Sequence, residues 1–280
     1  MAKNEVIWVT GAKGFLGSEI AKRLEKHGYT VVGTDSELSV CEPERLESFA
    51  NEVRPYAIVN CAGIPRAATG LSSRIRAYEV NALGARNVAV VANEFGSLMV
   101  QVSTDDVFPS RMSEPANEFD VPHPETPYGK SKRAGEAMVR DSGADCLVLR
   151  SSWIYSENGG MLKDALVAAR TGGTTYARTD QYASPTSISM YVDYMVKAIE
   201  KRITGVLHIS GQGVTSRYQF LSTALKMCGY DPSSVLVPEQ DLVTAEQILL
   251  ESMVLEMVGS ELPAWEDDLR NYLKEIGAAE

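Results

Sequence analysis

Tyr128 and Lys132 are the residues whose types and spacing point most directly to chemistry. They lie in ETPYGKSKRAGE (125–136), in which Thr126 is a natural N-cap and Pro127 a natural first helical residue. A helix that begins there places Tyr128 and Lys132 one turn apart on the same face. An ammonium group near a phenol lowers the phenol pKa from about 10, which makes Tyr128 a proton donor and acceptor near neutral pH. The alternative is a surface tyrosine with a lysine packed beside it.

A second polar stretch, STDDVF (103–108), follows the apolar run SLMVQV (97–102). Two neighbouring carboxylates, Asp105 and Asp106, are costly at the end of a buried strand unless they are solvated or paired. They are therefore either loop residues in contact with water or part of a site.

Glycines 11, 14 and 17 in TGAKGFLG stand between a predicted strand and a predicted helix. Such a loop allows a tight turn, close approach of the backbone to a pyrophosphate, and anion binding at the helix N-terminus. Asp35 ends the second predicted strand, where a carboxylate accepts hydrogen bonds from an adenosine ribose and repels a 2′-phosphate. The pattern predicts a dinucleotide site and favours NAD over NADP. The alternatives are a tight strand–helix turn for the glycines and a turn cap for Asp35.

The elements that must position these residues alternate between strands and helices. Apolar runs predict strands over 5–10, 29–35, 56–63, 97–104 and 146–155. Amphipathic stretches between them predict helices, among them 15–28, 43–53 and 77–96. This alternation predicts an α/β fold with a Rossmann-type, doubly wound parallel sheet.

The second half of the chain is less regular, and no linker separates it from the first. We expect a dinucleotide-binding domain over 1–150. Residues 151–280 are expected to form mostly a smaller substrate-binding lobe, with segments that cross back to the first domain.

Composition limits the partners. The 280 residues include 44% hydrophobic residues and carry a formal net charge of −10. An acidic chain is a poor ligand for a phosphate backbone, so no nucleic acid is expected. No apolar run reaches membrane-spanning length and the N-terminus does not resemble a signal peptide, so we expect a soluble, cytoplasmic protein.

The cysteines and histidines predict no metal site. The cysteines at 41, 61, 146 and 228 form no C-x-x-C pair and are predicted to be buried free thiols in a reducing compartment. The three histidines have no metal-ligand spacing. A Mg²⁺ requirement cannot be argued from the acidic stretches.

Taken together, the glycine spacing, NCAG (60–63), STD (103–105) and YGKSK (128–132) resemble the extended short-chain dehydrogenases/reductases. This resemblance implies that Tyr128 moves a proton, Lys132 holds the nicotinamide ribose and Thr104 binds the substrate oxygen. It also implies that Asn81 braces the active-site region.

The resemblance supports two sets of site residues. We predict that NAD or NADP contacts Gly11, Gly14, Phe15, Leu16, Gly17, Asp35, Ala62, Gly63, Ser103, Tyr128 and Lys132. We predict that the substrate contacts Thr104, Asp105, Asp106, Trp153, Asp180 and Gln181.

Within the extended family, the stretch 103–108 resembles two groups. Sugar-nucleotide 4,6-dehydratases typically read STDEVY, with an acid and a base in the pair, whereas dTDP-4-dehydrorhamnose reductases read STDYVF. Asp106 is a carboxylate like the dehydratase glutamate, but Val107 and Phe108 follow the reductases. RSSWIY (150–155) and DQYASPTS (180–187) also resemble reductase motifs.

The resemblance weakens towards the C-terminus, where VTAEQILLESMVLEMVG (243–259) lacks the Arg-Pro of the reductases, so the nucleotide and the sugar stay open. The expected activity is NAD(P)H-dependent reduction of a nucleotide-linked 4-keto-6-deoxysugar, in deoxysugar and cell-surface polysaccharide biosynthesis. The alternatives are a sugar-nucleotide dehydratase or epimerase, and a non-catalytic dinucleotide-binding regulatory subunit. The resemblance also allows a homodimer.

Overall fold

The computed structural model of the chain describes residues 5–66, 71–241 and 245–279. The chain forms two compact units, each assembled from separate stretches. The first unit comprises Met1–Phe108, Pro122–Arg150 and Val192–Leu207, and the second comprises Pro109–Val121, Ser151–Tyr191 and His208–Glu280.

The strands are β1 (Val6–Thr10), β2 (Thr30–Thr34), β3 (Ala57–Asn60), β4 (Leu98–Val102), β5 (Cys146–Arg150), β6 (Ile154–Tyr155), β7 (Thr175–Arg178), β8 (Gln181–Ala183), β9 (Thr186–Ser187), β10 (Gly205–His208), β11 (Thr215–Ser216), β12 (Leu236–Glu239) and β13 (Glu246–Gln247). The helices are α1 (Phe15–Lys26), α2 (Pro43–Val53), α3 (Leu71–Tyr78), α4 (Ala85–Glu94), α5 (Pro127–Arg140), α6 (Gly160–Thr171), α7 (Ile188–Glu200), α8 (Arg217–Met227), α9 (Met253–Met257) and α10 (Trp265–Glu275). A π-helical turn, Glu79–Gly84, joins α3 to α4.

A six-stranded sheet in the order β10-β5-β4-β3-β1-β2 forms the centre of the first unit. The pairs β1–β2, β1–β3, β3–β4 and β4–β5 are parallel. Every residue of β3, β4 and β5 is buried, which explains why these strands read as continuous apolar runs. The predicted α/β, Rossmann-type class is confirmed.

The core of this unit forms around Trp8 of β1, whose side chain is fully buried. The Trp8 ring packs 4.9 Å from that of Phe49 on α2, and its Nε1 donates to the hydroxyl of Thr34 on β2 at 2.8 Å. The single polar atom of this large side chain is therefore satisfied inside the core.

Two sequence predictions were wrong in detail. The run 146–155 is not one strand: β5 ends at Arg150, and β6 pairs with β9 in a separate two-stranded sheet. Trp153, between them, has φ +37, which a continuous strand does not allow. The predicted helix 77–96 is interrupted by the π-helical turn, a feature that is common at functional sites and that hydrophobic periodicity does not reveal.

The second unit contains small sheets, β11-β8-β13 and β12-β7 among them. In its core, Tyr155 packs 4.9 Å from Phe220 and 5.5 Å from Tyr272, measured between ring centroids. The buried carboxylate of Asp268 accepts hydrogen bonds from the Tyr155 hydroxyl and from the backbone N–H and hydroxyl of Ser187. This network ties α10 to β6 and β9.

All four cysteines are free thiols, as predicted, but Cys146 alone is buried and the other three are half-buried. In the described part of the chain, no helix is long and apolar enough to cross a membrane.

Candidate active site

A groove of about 420 Å³ opens at the carboxyl ends of β1, β2 and β3. Its walls come from the loops that follow these strands, with Gly11 and Gly14 after β1, Asp35 after β2, and residues 61–64 after β3. The strand order reverses here, and the crevice at such a reversal is where open α/β sheets bind their ligands.

Two glycines of the first loop are required by close contacts. Gly11 has φ +65, and a Cβ there would lie 2.7 Å from the backbone nitrogen of Ala62. A Cβ on Gly17 would lie 2.2 Å from the carbonyl oxygen of Gly11. The loop thus packs directly on the segment after β3 and on its own helix. The N-cap of α1 is Gly14, which has no side chain to cap the helix, so its N-terminal N–H groups suit an anion.

Asp35, predicted to contact the cofactor, lines the groove, and its carboxylate is held by the backbone. Oδ2 accepts from the N–H of Lys13 at 3.0 Å, and Oδ1 from that of Ser36 at 2.8 Å. Beside it, the Lys13 ammonium lies 2.8 Å from the Glu37 carboxylate. Asp35 therefore caps its turn and also faces the groove.

Phe15 and Leu16 are the first residues of α1 rather than walls of the groove, and the side chain of Phe15 is exposed. Only their backbone N–H groups, at the helix N-terminus, are suited to a ligand there.

Asn81, in the π-helical turn, joins the segment after β3 to α5. Its amide accepts from the N–H of Ile64 at 2.7 Å and donates to the hydroxyl of Ser131 at 2.8 Å. That hydroxyl in turn donates to the carbonyl of Tyr128 at 2.7 Å. Asn81 thus fixes the first turn of α5, which carries Tyr128.

Thr104 begins a short 3₁₀ turn that follows β4. Its hydroxyl donates to Asp105 at 3.0 Å and accepts from the N–H of Asp106 at 3.2 Å. It also lies near enough to the Tyr128 phenol to lower the phenol pKa. Asp105 and Asp106 are buried. The Arg66 guanidinium lies 3.2 Å from the Asp106 carboxylate. The two aspartates are therefore paired within a site and are not solvated loop residues.

The pKa of Tyr128 is raised above its ordinary value, chiefly by burial and then by the charges of Asp106 and Asp105. The hydrogen bond with Thr104 and the charge of Arg66 act in the opposite direction. Lys132 is not among the groups that shift this pKa, so the predicted lowering by Lys132 is not found: burial and the neighbouring carboxylates raise the pKa instead.

Lys132 is buried beneath the site, and its Nζ donates to the carbonyl of Val102 at 2.6 Å. Burial lowers the pKa of Lys132 to about 8, although the charges of Glu136 and Cys61 raise it. Burial raises the pKa of the Cys61 thiol to about 12, against the effect of Lys132. Ser103, predicted to contact the cofactor, donates its hydroxyl to Glu136 at 2.6 Å.

The remaining predicted residues lie in the second unit. The Arg217 guanidinium stacks 4.4 Å from the ring centroid of Trp153, and its Nε donates to Gln181 at 2.6 Å. The structure thus brings Trp153 and Gln181 together around one arginine. Asp180 instead pairs with Arg178 at 2.7 Å and accepts from the N–H of Asp241, and the ion pair lowers its pKa.

The second unit also contains a cavity of about 390 Å³. Three carboxylates line it, Glu251, Glu256 and Glu261, together with serine hydroxyls and apolar side chains. Among its described lining residues there is no lysine or arginine, so the cavity is not suited to a phosphate group.

Comparison with known proteins assigns the family. The RmlD substrate binding domain family matches residues 5–278. The chain belongs to this family.

Individual members agree with the family match. Spore coat polysaccharide biosynthesis protein SpsK of Bacillus subtilis is 29% identical over 98% of each chain. The dTDP-4-dehydrorhamnose reductase of Aggregatibacter actinomycetemcomitans is 32% identical over 76% of this chain and 75% of the relative. A crystal structure of dTDP-4-dehydrorhamnose reductase from Bacillus anthracis in complex with NADP has a TM-score of 0.89 at 28% identity, and covers 98% of this chain and 100% of that one. The resemblance found in the sequence is therefore confirmed.

In this member of the RmlD family, sequence reasoning missed several charged groups at the site. Four charged residues contact side chains that were predicted to be part of a site, but each is distant in sequence from its contact. They are Arg66, Glu136, Arg150 and Arg217. The spacing of Glu136, one helical turn after Lys132, is the one signal that could have revealed any of them. In residues 5–66, 71–241 and 245–279, no three histidine, cysteine, aspartate or glutamate side chains are placed so that they could hold a metal ion.

Proposed function

We propose that this protein reduces the 4-keto group of a nucleotide-linked 6-deoxysugar with NADH or NADPH. The observation that carries the proposal is the close packing of the first turn of α5, with Tyr128, on the turn that Thr104 begins: a Cβ on Gly129 would lie 2.0 Å from the carbonyl oxygen of Asp106. Lys132 lies on the same helix as Tyr128, and the glycine-lined groove belongs to the same unit. Family membership and the reductase names of several relatives support the same activity.

The groove fits a nicotinamide dinucleotide. Gly11 leaves room against Ala62 that a Cβ would fill, and Gly14 opens α1 with free access to its N-terminal N–H groups. The N–H groups at the start of α1 would hold the pyrophosphate of the cofactor, while Ala62 and Gly63 would face its adenine half. The bound cofactor would supply hydride to the carbonyl carbon. Asp35 favours NAD, whereas the relative from Bacillus anthracis binds NADP.

Tyr128 is the proton donor in this proposal. Its raised pKa keeps the phenol protonated at neutral pH, as a group that donates to a developing alkoxide must be. Thr104 lies near Tyr128, so a substrate oxygen between the two hydroxyls would be held by both groups. Lys132 would hold the nicotinamide ribose.

Asp106 acts on the substrate side in this proposal and is not a catalytic base. Its pairing with Arg66 favours a fixed, charged group over one that exchanges protons with substrate. We further propose that Asp105, Trp153, Asp180 and Gln181 contact the substrate, the last three as part of a substrate-binding lobe formed by the second unit.

The proposal is tested by mixing the purified protein with NADH or NADPH and a panel of nucleotide-linked 4-keto-6-deoxysugars. We expect oxidation of the cofactor with at least one sugar and formation of the corresponding alcohol. Tyr128→Phe, which removes one hydroxyl, is the matched control and should lose this turnover while it still binds the cofactor. Cofactor binding without turnover of any sugar would refute the reductase and favour a regulatory subunit.

We also propose a homodimer, supported by large apolar side chains that are exposed on α3 and α4 and in the turn between them, Ile75, Leu83 and Val90. Light scattering of the purified protein would then give about twice the mass of the chain, and Leu83→Glu should restore the monomer. We propose that the enzyme acts in the cytoplasm, to be checked by cell fractionation.

A further inference from the structure

Three buried charged side chains lie together in the first unit. Lys132, Glu136 and Arg150 are each less than a tenth exposed. Removing three charges from water is costly, and replacing a buried ion pair by apolar residues is often neutral or stabilising. Stability alone therefore does not account for this cluster.

Glu136 connects three elements that carry the site. It stands on α5, its Oε1 accepts from the Ser103 hydroxyl at 2.6 Å and from Arg150 Nε at 2.9 Å, and its Oε2 accepts from Arg150 Nη2 at 2.8 Å. Ser103 follows β4 directly, and Arg150 is the last residue of β5. Because two nitrogens of the Arg150 guanidinium each donate to one oxygen of the Glu136 carboxylate, the ion pair is both strong and fixed in orientation.

The end of β4 that Glu136 holds is also where the reactive groups meet. On one side of Ser103, the carbonyl of Val102 accepts from Lys132 Nζ at 2.6 Å. On the other side, Thr104 begins the turn on which the first turn of α5, with Tyr128, packs. Because Tyr128, Lys132 and Glu136 recur every fourth residue, they share one face of α5.

We propose that Glu136 is a positioning residue. It fixes the end of β4, with Thr104, against the helix that carries Tyr128 and Lys132, and it supplies the negative charge that the buried Lys132 ammonium faces. The expected effect of Glu136 on activity rests on the proposed reductase function. Its expected effect on the position of β4 and on the Lys132 pKa does not.

The charged groups around Lys132 determine in which direction its pKa, and with it the pH dependence of activity, should change when Glu136 is replaced. Glu136 faces it from α5, Cys61 from the segment after β3, and both raise its pKa, while burial lowers it. Arg150 of β5 faces Glu136. Lys132 is an ammonium below its pKa, so activity that needs the charge falls as the pH rises through about 8. Removing the Glu136 charge lowers this pKa further, and the fall in activity then comes at lower pH.

The test measures the titration of Lys132 directly. Protein labelled with ¹³C at lysine Cε is titrated by NMR, and Lys132→Met assigns the signal. In Glu136→Gln we expect the pKa of Lys132 to fall by about one unit. Since that variant leaves Arg150 buried without its partner, Glu136→Gln/Arg150→Gln is measured as well. It removes both charges of this ion pair, so the pKa of Lys132 should fall less than in the single variant. Glu136→Asp keeps the charge and should keep the wild-type titration.

Arg140→Gln is the matched control. It changes one charge on an exposed side chain at the end of the same helix, two turns beyond Lys132, so the pKa of Lys132 should not move. The alkaline limb of kcat/KM should shift with the NMR pKa in both Glu136→Gln variants. If the wild type reduces no ketosugar, the proposed function fails, but the NMR titration still decides the role of Glu136. An unchanged Lys132 pKa in Glu136→Gln, or a fall in Glu136→Asp as large as in Glu136→Gln, would overturn the proposal.

Discussion

Gly129→Ala is a severe test of how α5 is positioned. Gly129 lies between Tyr128 and Lys132 in the chain, and a Cβ there would stand 2.0 Å from the carbonyl oxygen of Asp106 and 3.2 Å from Pro124 Cβ. Ordinary contact begins at 3.4 Å, so the helix and the turn after β4 must separate by about 1.4 Å. The neighbour is backbone and cannot rotate away as a flexible side chain would.

Two effects on stability oppose each other in this variant. Alanine gains about 1 kcal/mol of helix propensity over glycine, whereas overpacking costs about 1–3 kcal/mol. We therefore expect a net loss in the free energy of unfolding of about 1 kcal/mol. Catalysis should suffer more, because a misplacement of about 1 Å between reacting groups can reduce the rate by about 100-fold.

The assay pairs steady-state kinetics on the ketosugar with denaturant unfolding. Gly173→Ala is the matched control, because a Cβ there meets its nearest neighbour at 3.5 Å. We expect the control to keep wild-type kcat/KM, and Gly129→Ala to lose about 100-fold while still folded. Wild-type kinetics in Gly129→Ala would show that the distance between Tyr128 and the end of β4 does not limit the reaction.

Three further predictions follow from the same contacts. Tyr128→Phe should lower kcat by about 10²- to 10⁴-fold with little change in the midpoint of thermal unfolding, and full activity would remove Tyr128 as the proton donor. Asp106→Asn should change kcat/KM only a few-fold, with Arg66→Gln as its matched partner; collapse of turnover would instead favour a dehydratase-type role for this carboxylate. Lys132 has a folded pKa of about 8 against 10.5 unfolded, so the unfolded state binds more protons between these values. The wild type should therefore gain about 3 kcal/mol of unfolding free energy relative to Lys132→Met as the pH rises through that window, and a pH-independent difference in urea unfolding would contradict the lowered pKa.

Local chemistry explains why much of the first unit could be predicted. The glycine loop, Asp35 and the YGKSK helix depend on contacts within a few residues, namely turn geometry, an N-cap and one helical turn. The strands β1 to β5 were recognisable because burial on both faces requires continuous apolar runs. Thr126 does cap α5, accepting from the N–H of Gly129 at 2.9 Å.

The other contacts of the candidate site could not be predicted, because they join residues that are far apart in the sequence. Arg150 meets Glu136 from a neighbouring strand, Arg66 meets Asp106, and Arg217 joins Trp153 to Gln181. None of these pairs has a spacing that a local pattern records. The end of β5 at Arg150 was hidden for the same reason, since the pairing of β6 with β9 depends on a distant segment.

The sequence by itself determined that a tyrosine and a lysine share a helix face beside a dinucleotide loop, because helical periodicity and turn chemistry are local. Only the tertiary structure decided their electrostatics. Burial and then the charges of Asp106 and Asp105 raise the pKa of Tyr128, whereas burial lowers the pKa of Lys132 against the effect of Glu136. A pKa depends on every charge and every layer of protein within a few ångströms, and these come from β3, β4 and β5 as well as from α5.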